Sequence, residues 1–181
     1  MDSGRPARRA KLKLGEEIAM LATWNERSRR GLLVNIFFAV TLALLVNALI
    51  FLFSSSQMAS SREPFRFEPP GWVIGVVWTL LFAGLGAARW QVLRSDGGKS
   101  SDATWVLLLL LICAAYPLYT SGLKNPVVGL WGDAATGLLA VWIAARIRRR
   151  SVLAALFVFA VTAWVTFASF LTLEQIQGRS F

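Results

Sequence analysis

Five apolar stretches of about 20 residues each constrain this chain more than any other feature of its sequence. A helix needs about 20 apolar residues to cross the hydrocarbon of a bilayer, and lipid admits only helices and closed barrels. The alternation of apolar and polar residues that marks a barrel strand is absent. The sequence therefore predicts an all-α integral membrane protein, a five-transmembrane-helix bundle. The predicted spans are residues 31–53, 70–93, 103–122, 126–146 and 151–173.

The domain organisation follows from these spans. Residues 1–30 are predicted to form a basic N-terminal extension, residues 31–176 the five-helix domain, and residues 177–181 a short tail. Within the extension, residues 14–25 place apolar side chains on one helical face, which predicts an interfacial helix lying on the membrane surface. A solvated tail that is amphipathic by chance is the alternative.

Positive charges lie mainly on one side of the predicted topology. Fifteen of the nineteen Lys and Arg residues precede the first span or fall at the second-to-third and fourth-to-fifth connections. By the positive-inside rule, this side is cytoplasmic. We therefore expect a multi-pass protein of the plasma (inner) membrane of a bacterium, with its N-terminus in the cytoplasm. We assign the net charge of +9 to topology and to contact with anionic membrane lipids, and we expect no nucleic-acid partner.

Histidine is absent from the chain, and cysteine occurs once. These counts exclude histidine metal sites, histidine-ligated haem iron and an internal disulfide. Cys113 lies inside the third span, where a small packing residue is the simplest interpretation. Glycine-rich phosphate loops, paired carboxylates at catalytic spacing and serine elbows are also missing. We therefore predict no catalytic residue, no metal site and no required cofactor.

The segment PPGWVIGVVWTLLFAGLGAARW, which starts at Pro69, sets large rings beside glycines. Glycines let a neighbouring helix approach closely, or they leave space beside a ring for a flat apolar ligand. Both interpretations stay open from the spacing alone. At 100° per residue, one face of this helix carries Gly75, Trp78, Thr79, Phe82 and Gly86.

Asp133 is the one acid that is predicted to lie deep within a span. A charged side chain there costs about 2.5–3.5 kcal/mol on insertion scales, so a functional role is the first hypothesis. We expect Asp133 inside the bundle or at a dimer contact, with the hydroxyl of Tyr116 or Tyr119, or a donor group of a ligand, as its partner. Pro117 removes a helical hydrogen bond, which predicts a kink that turns these tyrosines inward.

The fifth span has an aromatic face and a weakly polar face. We expect the aromatic face to point into the bundle. The hydroxyl groups of the other face would bond backbone carbonyls or a neighbouring helix. The aromatic face comprises Phe157, Ala160, Trp164 and Leu171, and the polar face comprises Thr162, Thr166 and Ser169.

The first predicted loop, SSSQMASSREPFRFEP, carries Phe65 and Phe67 beside charged residues. Aromatic rings over the mouth of a bundle predict a lid on a binding site. An aromatic belt at the membrane interface is the alternative, and the sequence does not decide between the two.

Residues 69–82 resemble the signature PPxWVFxxxWTxLY of the TspO/translocator protein family, the tryptophan-rich sensory proteins also called peripheral-type benzodiazepine receptors. Both prolines, both tryptophans, the threonine and the closing aromatic position coincide. Residues 122–126 resemble the family's FFGxxxP turn, and residues 164–171 resemble its WxxFATYL segment. The resemblance covers roughly residues 33–176. The chain departs from the family pattern at Cys113, Tyr116 and Thr172.

The resemblance implies a five-helix bundle with a ligand pocket beneath the first loop and, as in many members, a homodimer. The ligands of the family are tetrapyrroles such as protoporphyrin and haem, sterols, and synthetic compounds of the benzodiazepine type. Carried over to this sequence, Trp78 is a pocket wall, Phe82 its neighbour one turn on, and Trp164 the opposing wall. With the candidates named above, the predicted ligand-binding set is Gly75, Trp78, Phe82, Cys113, Tyr116, Asp133, Trp164 and Phe67.

The prediction is thus a membrane receptor or binding protein for flat hydrophobic ligands, above all tetrapyrroles (protoporphyrin IX or haem), in sensing, sequestration or transfer. Ring stacking would replace iron ligation because histidine is absent. Sterols and membrane lipids are further expected partners. One alternative is a light-dependent porphyrin-degrading activity with tryptophan as redox partner. Another is a structural or partner-binding membrane protein whose N-terminal extension is the interaction element.

Overall fold

A computed structural model describes Trp24 and residues 28–54, 69–96, 100–117 and 125–177. No strand occurs among these residues. Apart from Trp24, the predicted interfacial helix lies outside the described residues, as do Phe65, Phe67 and Tyr119. The helices are α1 (Arg29–Ser54), α2 (Gly71–Ser95), α3 (Ser101–Pro117), α4 (Pro126–Ile147) and α5 (Val152–Gln177).

Four of these helices, α1, α2, α4 and α5, are long and apolar enough to cross a membrane. The predicted class, an all-α integral membrane protein, is therefore confirmed. Helix α3 is also apolar, but it is described over 17 residues. That length is at the lower limit of the about 17–25 residues that span a bilayer. The fifth crossing remains a prediction.

Capping side chains mark the start of two of the helices. The side chain of Asn125 caps α4, because its oxygen accepts a hydrogen bond from the backbone N–H of Val127 at 3.0 Å. Pro126 occupies the first helical position, where a missing N–H costs nothing. Ser28 caps α1 in the same way, and its Oγ accepts from the N–H of Arg30 at 3.1 Å.

An ion-pair network marks the end of the bundle where α2 and α4 finish and α3 and α5 start, which we call the basic end. Asp102 of α3 is 1% exposed and pairs with Arg146 of α4. Its other oxygen lies 3.3 Å from Nε of Arg150, in the turn before α5. Arg150 also pairs with Asp96, which follows α2. These contacts join the ends of four helices.

Two residues before α1, Trp24 and Ser28, are bound to the same end of the bundle by hydrogen bonds that involve Asn35, Arg89 and Trp90. The Arg89 guanidinium donates to Oδ1 of Asn35 at 2.5 Å, and Nδ2 of Asn35 donates to the carbonyl of Trp24 at 2.8 Å. The guanidinium also lies 4.8 Å from the centre of the Trp24 ring, a cation–π distance. Trp90 donates from Nε1 to the carbonyl of Ser28 at 3.0 Å.

Glycine allows α1 to approach α2 closely. A Cβ at Gly86 would lie 2.6 Å from the carbonyl oxygen of Asn35 and 3.1 Å from Cβ of Ala39. Close helix contact is therefore the correct interpretation of the glycine at position 86. Gly84 faces α5 instead, where a Cβ would lie 3.3 Å from the ring of Phe157.

The hydrophobic core occupies the half of the bundle next to the basic end. The buried residues of α2 lie between positions 81 and 93, and those of α3 between positions 102 and 113. In α5 they lie between positions 154 and 165. The other half of the bundle contains larger aromatic side chains that are only partly buried, and the candidate site lies there.

Substituting Gly86 by alanine should destabilise the protein. The added Cβ would push α1 away from α2 and cost about 1–3 kcal/mol. This exceeds the about 1 kcal/mol that alanine gains over glycine inside a helix. Thermal unfolding of the purified protein in detergent, followed by circular dichroism, measures the change.

Gly71→Ala is the matched control, because a Cβ at Gly71 would meet nothing within 4 Å. The control should unfold close to the wild-type temperature. If the Gly86→Ala variant did the same, α1 and α2 would not be packed as closely as described.

Candidate ligand-binding site

Four aromatic side chains from three helices meet in the half of the bundle away from the basic end. The Trp78 ring of α2 lies 5.2 Å from the Tyr116 ring of α3 and 6.4 Å from the Trp164 ring of α5, between centroids. Phe82, one turn after Trp78, lies 6.1 Å from it. We call these four residues the aromatic cluster. All four belong to the predicted ligand-binding set, and the fold brings them together from distant parts of the chain.

The cluster combines tight ring contacts with accessible ring surface. Phe82 is buried, whereas Trp78, Tyr116 and Trp164 are only partly buried. Phe167 extends the ring contacts, with 5.6 Å between its centroid and that of Trp164. Aromatic pairs at such distances contribute about 0.5–1.5 kcal/mol each beyond area burial. The exposed part of each ring is surface on which a flat apolar ligand can stack.

The residues of the predicted single face of α2 contact three neighbouring helices. Trp78 contacts α3 and α5 through the aromatic cluster. Gly75 and Thr79 instead line a groove beside α1, where a Cβ at Gly75 would lie 3.8 Å from Nδ2 of Asn47. Gly75 thus belongs to this groove and not, as predicted, to the surroundings of Trp78. The predicted face covers about 100° of the helix, so its two edges meet different helices.

The inward face of α5 agrees with the prediction only in part. Phe157 and Trp164 of the predicted aromatic face pack against α2, whereas Ala160 is exposed. Small side chains let α5 pack closely, which leaves the rings at the edge of the contact. The hydroxyls bond backbone carbonyls as expected, Thr166 to Thr162 at 2.8 Å and Thr162 to Gly137 of α4 at 3.4 Å. The buried stripe consists of Ala154, Ala155, Val158, Val161 and Val165.

Asp133 lies inside the bundle beside the aromatic cluster. It is 1% exposed, and Oδ2 of its carboxylate accepts a hydrogen bond from Oγ of Ser169 at 3.4 Å. The predicted interior position is therefore confirmed, and Tyr116 as the partner of Asp133 stays a prediction. The Oδ1 atom is buried and has no hydrogen-bond partner among the described residues. Such an acceptor can receive a hydrogen bond from a bound molecule.

The other two predicted site residues do not join this arrangement. Cys113 is buried in the core one turn before Tyr116, which agrees with the packing interpretation. Phe67 lies outside the described residues. Pro117 is the last described residue of α3, so the kink that it predicts remains a prediction.

The cluster supplies ring surface, one phenolic hydroxyl and one carboxylate. Among the described residues, no group of three His, Cys, Asp or Glu side chains could hold a metal ion. Asp133 is the charged group next to the cluster, while the ion pairs of Asp102 lie at the basic end. This chemistry suits a flat and largely apolar ligand that carries a hydrogen-bond donor.

The groove beside α1 is a second concave feature, and sequence reasoning missed it. Its cavity has a volume of about 310 Å³. The signal in the sequence is Asn47, an amide within a largely apolar span. Asn35 at the basic end is a second amide in the same span, and sequence reasoning did not assign it a role either. The groove is lined by Leu44, Asn47, Trp72, Gly75, Val76, Thr79 and Leu80.

Comparisons with known proteins agree on one family. The sequence model of the TspO/MBR family matches residues 37–177. The Tryptophan-rich protein TspO of Chlorobaculum tepidum is 28% identical to this chain over 114 residues, which cover 61% of this chain and 72% of that protein. No solved structure matches the chain.

Replacing Asp133 by leucine should destabilise the fold, because the larger side chain must fit at a position that is 1% exposed. The expected loss is about 1–3 kcal/mol, seen as a lower unfolding temperature in detergent. Asp133→Asn is the matched control, since it keeps an oxygen acceptor of the same shape and removes a buried charge. It should unfold at or above the wild-type temperature. Wild-type stability of the leucine variant would contradict the tight packing around Asp133.

Proposed function

The chain belongs to the TspO/MBR family, and we propose that it is a membrane receptor that binds flat hydrophobic ligands, above all tetrapyrroles, at its aromatic cluster. Family membership and the membrane-spanning helices make it a membrane sensory or binding protein. One observation supports the proposed ligand class. Rings from three helices converge, because the centroids of Tyr116 and Trp164 lie 5.2 Å and 6.4 Å from the centroid of Trp78.

A tetrapyrrole such as protoporphyrin IX is a large flat ring, and aromatic faces are its natural contacts. The partial burial of Trp78 and Trp164 supports stacking, because each ring keeps accessible surface at membrane depth. The free Oδ1 atom of Asp133 and the hydroxyl of Tyr116 would orient the ligand through donors such as pyrrole N–H groups. For haem, affinity would come from stacking, since the chain has no histidine to ligate iron.

We further propose that the basic end faces the cytoplasm and that α3, continued beyond Pro117, makes the fifth crossing. The charge count supports this orientation, because fifteen of the nineteen Lys and Arg residues lie on that side. The aromatic cluster would then lie in the outer half of a bacterial inner membrane. A homodimer is proposed from the family resemblance.

A titration with protoporphyrin IX tests the proposed site. Tryptophan quenching and the Soret shift of the purified protein in detergent should show saturable binding. Trp78→Phe should weaken this binding about tenfold, which corresponds to about 1.4 kcal/mol for the loss of indole stacking surface.

Trp131→Phe is the matched control, because Trp131 is 72% exposed on α4 and is not part of the aromatic cluster. It should bind like the wild type. Equal weakening in both variants, or no saturable binding by the wild type, would overturn the proposed tetrapyrrole site.

Light-dependent porphyrin degradation is a second candidate function. It is favoured by the position of two further oxidisable rings, Tyr116 and Trp164, beside Trp78. Illumination of the protoporphyrin complex should then bleach the Soret band, and Trp78→Phe should abolish the bleaching. A bound spectrum that stays unchanged under illumination would rule out this activity and leave the binding function standing.

A further inference from the structure

The groove between α1 and α2 is distinct from the aromatic cluster. Gly75 and Thr79 of α2 line it, and no member of the cluster does. It opens on the side of the bundle, since Leu44 and Leu80 at its edges are 56% and 66% exposed. Because both helices are membrane-spanning, this side faces lipid hydrocarbon. Its volume of about 310 Å³ lies at the lower end of the ~300–1,000 Å³ usual for small-molecule sites.

The groove holds one polar group that the protein itself does not use. The side chain of Asn47 makes no hydrogen bond within the described residues. Thr79, the other polar lining residue, already donates to the carbonyl of Gly75 at 2.8 Å. An amide in hydrocarbon is costly without a partner. An occupant with a hydrogen-bond acceptor beside Asn47 would remove that cost.

The position of the groove along the helices limits what this acceptor belongs to. Gly75 lies four residues after Gly71, the first residue of α2, which places it about 6 Å from the helix start. From Trp72 to Leu80 the groove follows α2 for about 12 Å. It thus runs from near the membrane interface into one leaflet, the depth range of a lipid ester and the first part of its acyl chain.

The uncharged lining of the groove also fits a lipid ester and its acyl chain. None of the described residues that line it is charged, so it complements an uncharged group and not a phosphate or an ammonium headgroup. The absence of a side chain at Gly75 leaves room for a chain to lie against the helix backbone, because only Nδ2 of Asn47 is within 4 Å of a Cβ built there.

We propose that this groove is a phospholipid site: one acyl chain lies between α1 and α2, and its ester carbonyl accepts a hydrogen bond from the Asn47 amide. The site is independent of the proposed tetrapyrrole function. It assigns Gly75 to lipid binding and leaves Trp78 to the other ligand.

Photo-crosslinking of the full chain tests this site. The protein is placed in nanodiscs of phosphatidylcholine that contain a phosphatidylcholine with a diazirine in its acyl chain, and adducts are mapped by mass spectrometry. Groove labelling is taken as the adducts near Leu44 and Leu80. The reference is labelling near Leu138, which is exposed on α4 outside the groove. Wild-type groove labelling should exceed the reference.

Gly75→Leu should abolish this excess, because the new side chain fills the groove. Gly71→Leu adds the same side chain to the same helix in open space, and it should leave the excess unchanged. Asn47→Leu should reduce the excess about two- to tenfold, the value of one hydrogen bond. This second variant keeps the test decisive if Gly75→Leu does not fold.

Three results would overturn the lipid site. Wild-type labelling equal to that near Leu138 would indicate ordinary surrounding lipid. A dimer in native mass spectrometry that Gly75→Leu dissociates would assign the groove to a second copy of the chain. An undiminished excess in both Gly75→Leu and Asn47→Leu would place the lipid elsewhere. Protoporphyrin titration of Gly75→Leu should match the wild type, so failure of the tetrapyrrole site would be seen separately.

Discussion

The buried carboxylate of Asp102 is the contact from which the packing of the bundle extends. It meets Arg146 at the end of α4 and Arg150 before α5, and Arg150 also reaches Asp96 after α2. A buried carboxylate is costly unless it is paired, so the network favours one arrangement of these helix ends. Because small and branched side chains fill the adjacent half of the bundle, the opposite half is free to hold bulkier rings.

Helix α2 lies in both halves of the bundle and contacts three neighbouring helices, which explains why its sequence mixes rings with glycines. Gly86 admits the backbone of α1, while Trp78 contacts α3 and α5. About one turn before Trp78, Gly75 lines a groove that is open to lipid. The same helix therefore separates two candidate sites. One is a stacking site at the aromatic cluster with Asp133 beside it, and the other is a lipid site on the outer surface.

Much of this arrangement could be predicted from the sequence, because span length and ring spacing are local properties. The interior position of Asp133 was also predictable, since a charged side chain on the lipid-facing surface of a span is costly. The buried stripe of α5, from Ala154 to Val165, was not predictable, because hydropathy does not distinguish lipid-facing from core-facing apolar residues. Asp102 resembled an ordinary polar residue at a turn. Its burial depends on Arg146, which follows it by 44 positions and meets it only in the fold.

In the proposed site, the rings of Trp78 on α2 and Trp164 on α5 bind one ligand. A double-mutant cycle with Trp78→Phe, Trp164→Phe and the double variant, measured as affinity for protoporphyrin IX, tests this joint binding most directly. Residues that share one ligand should show an interaction free energy of about 0.5–3 kcal/mol. Effects that add within about 0.3–0.5 kcal/mol would mean that the two rings act independently, and would contradict a single stacking site.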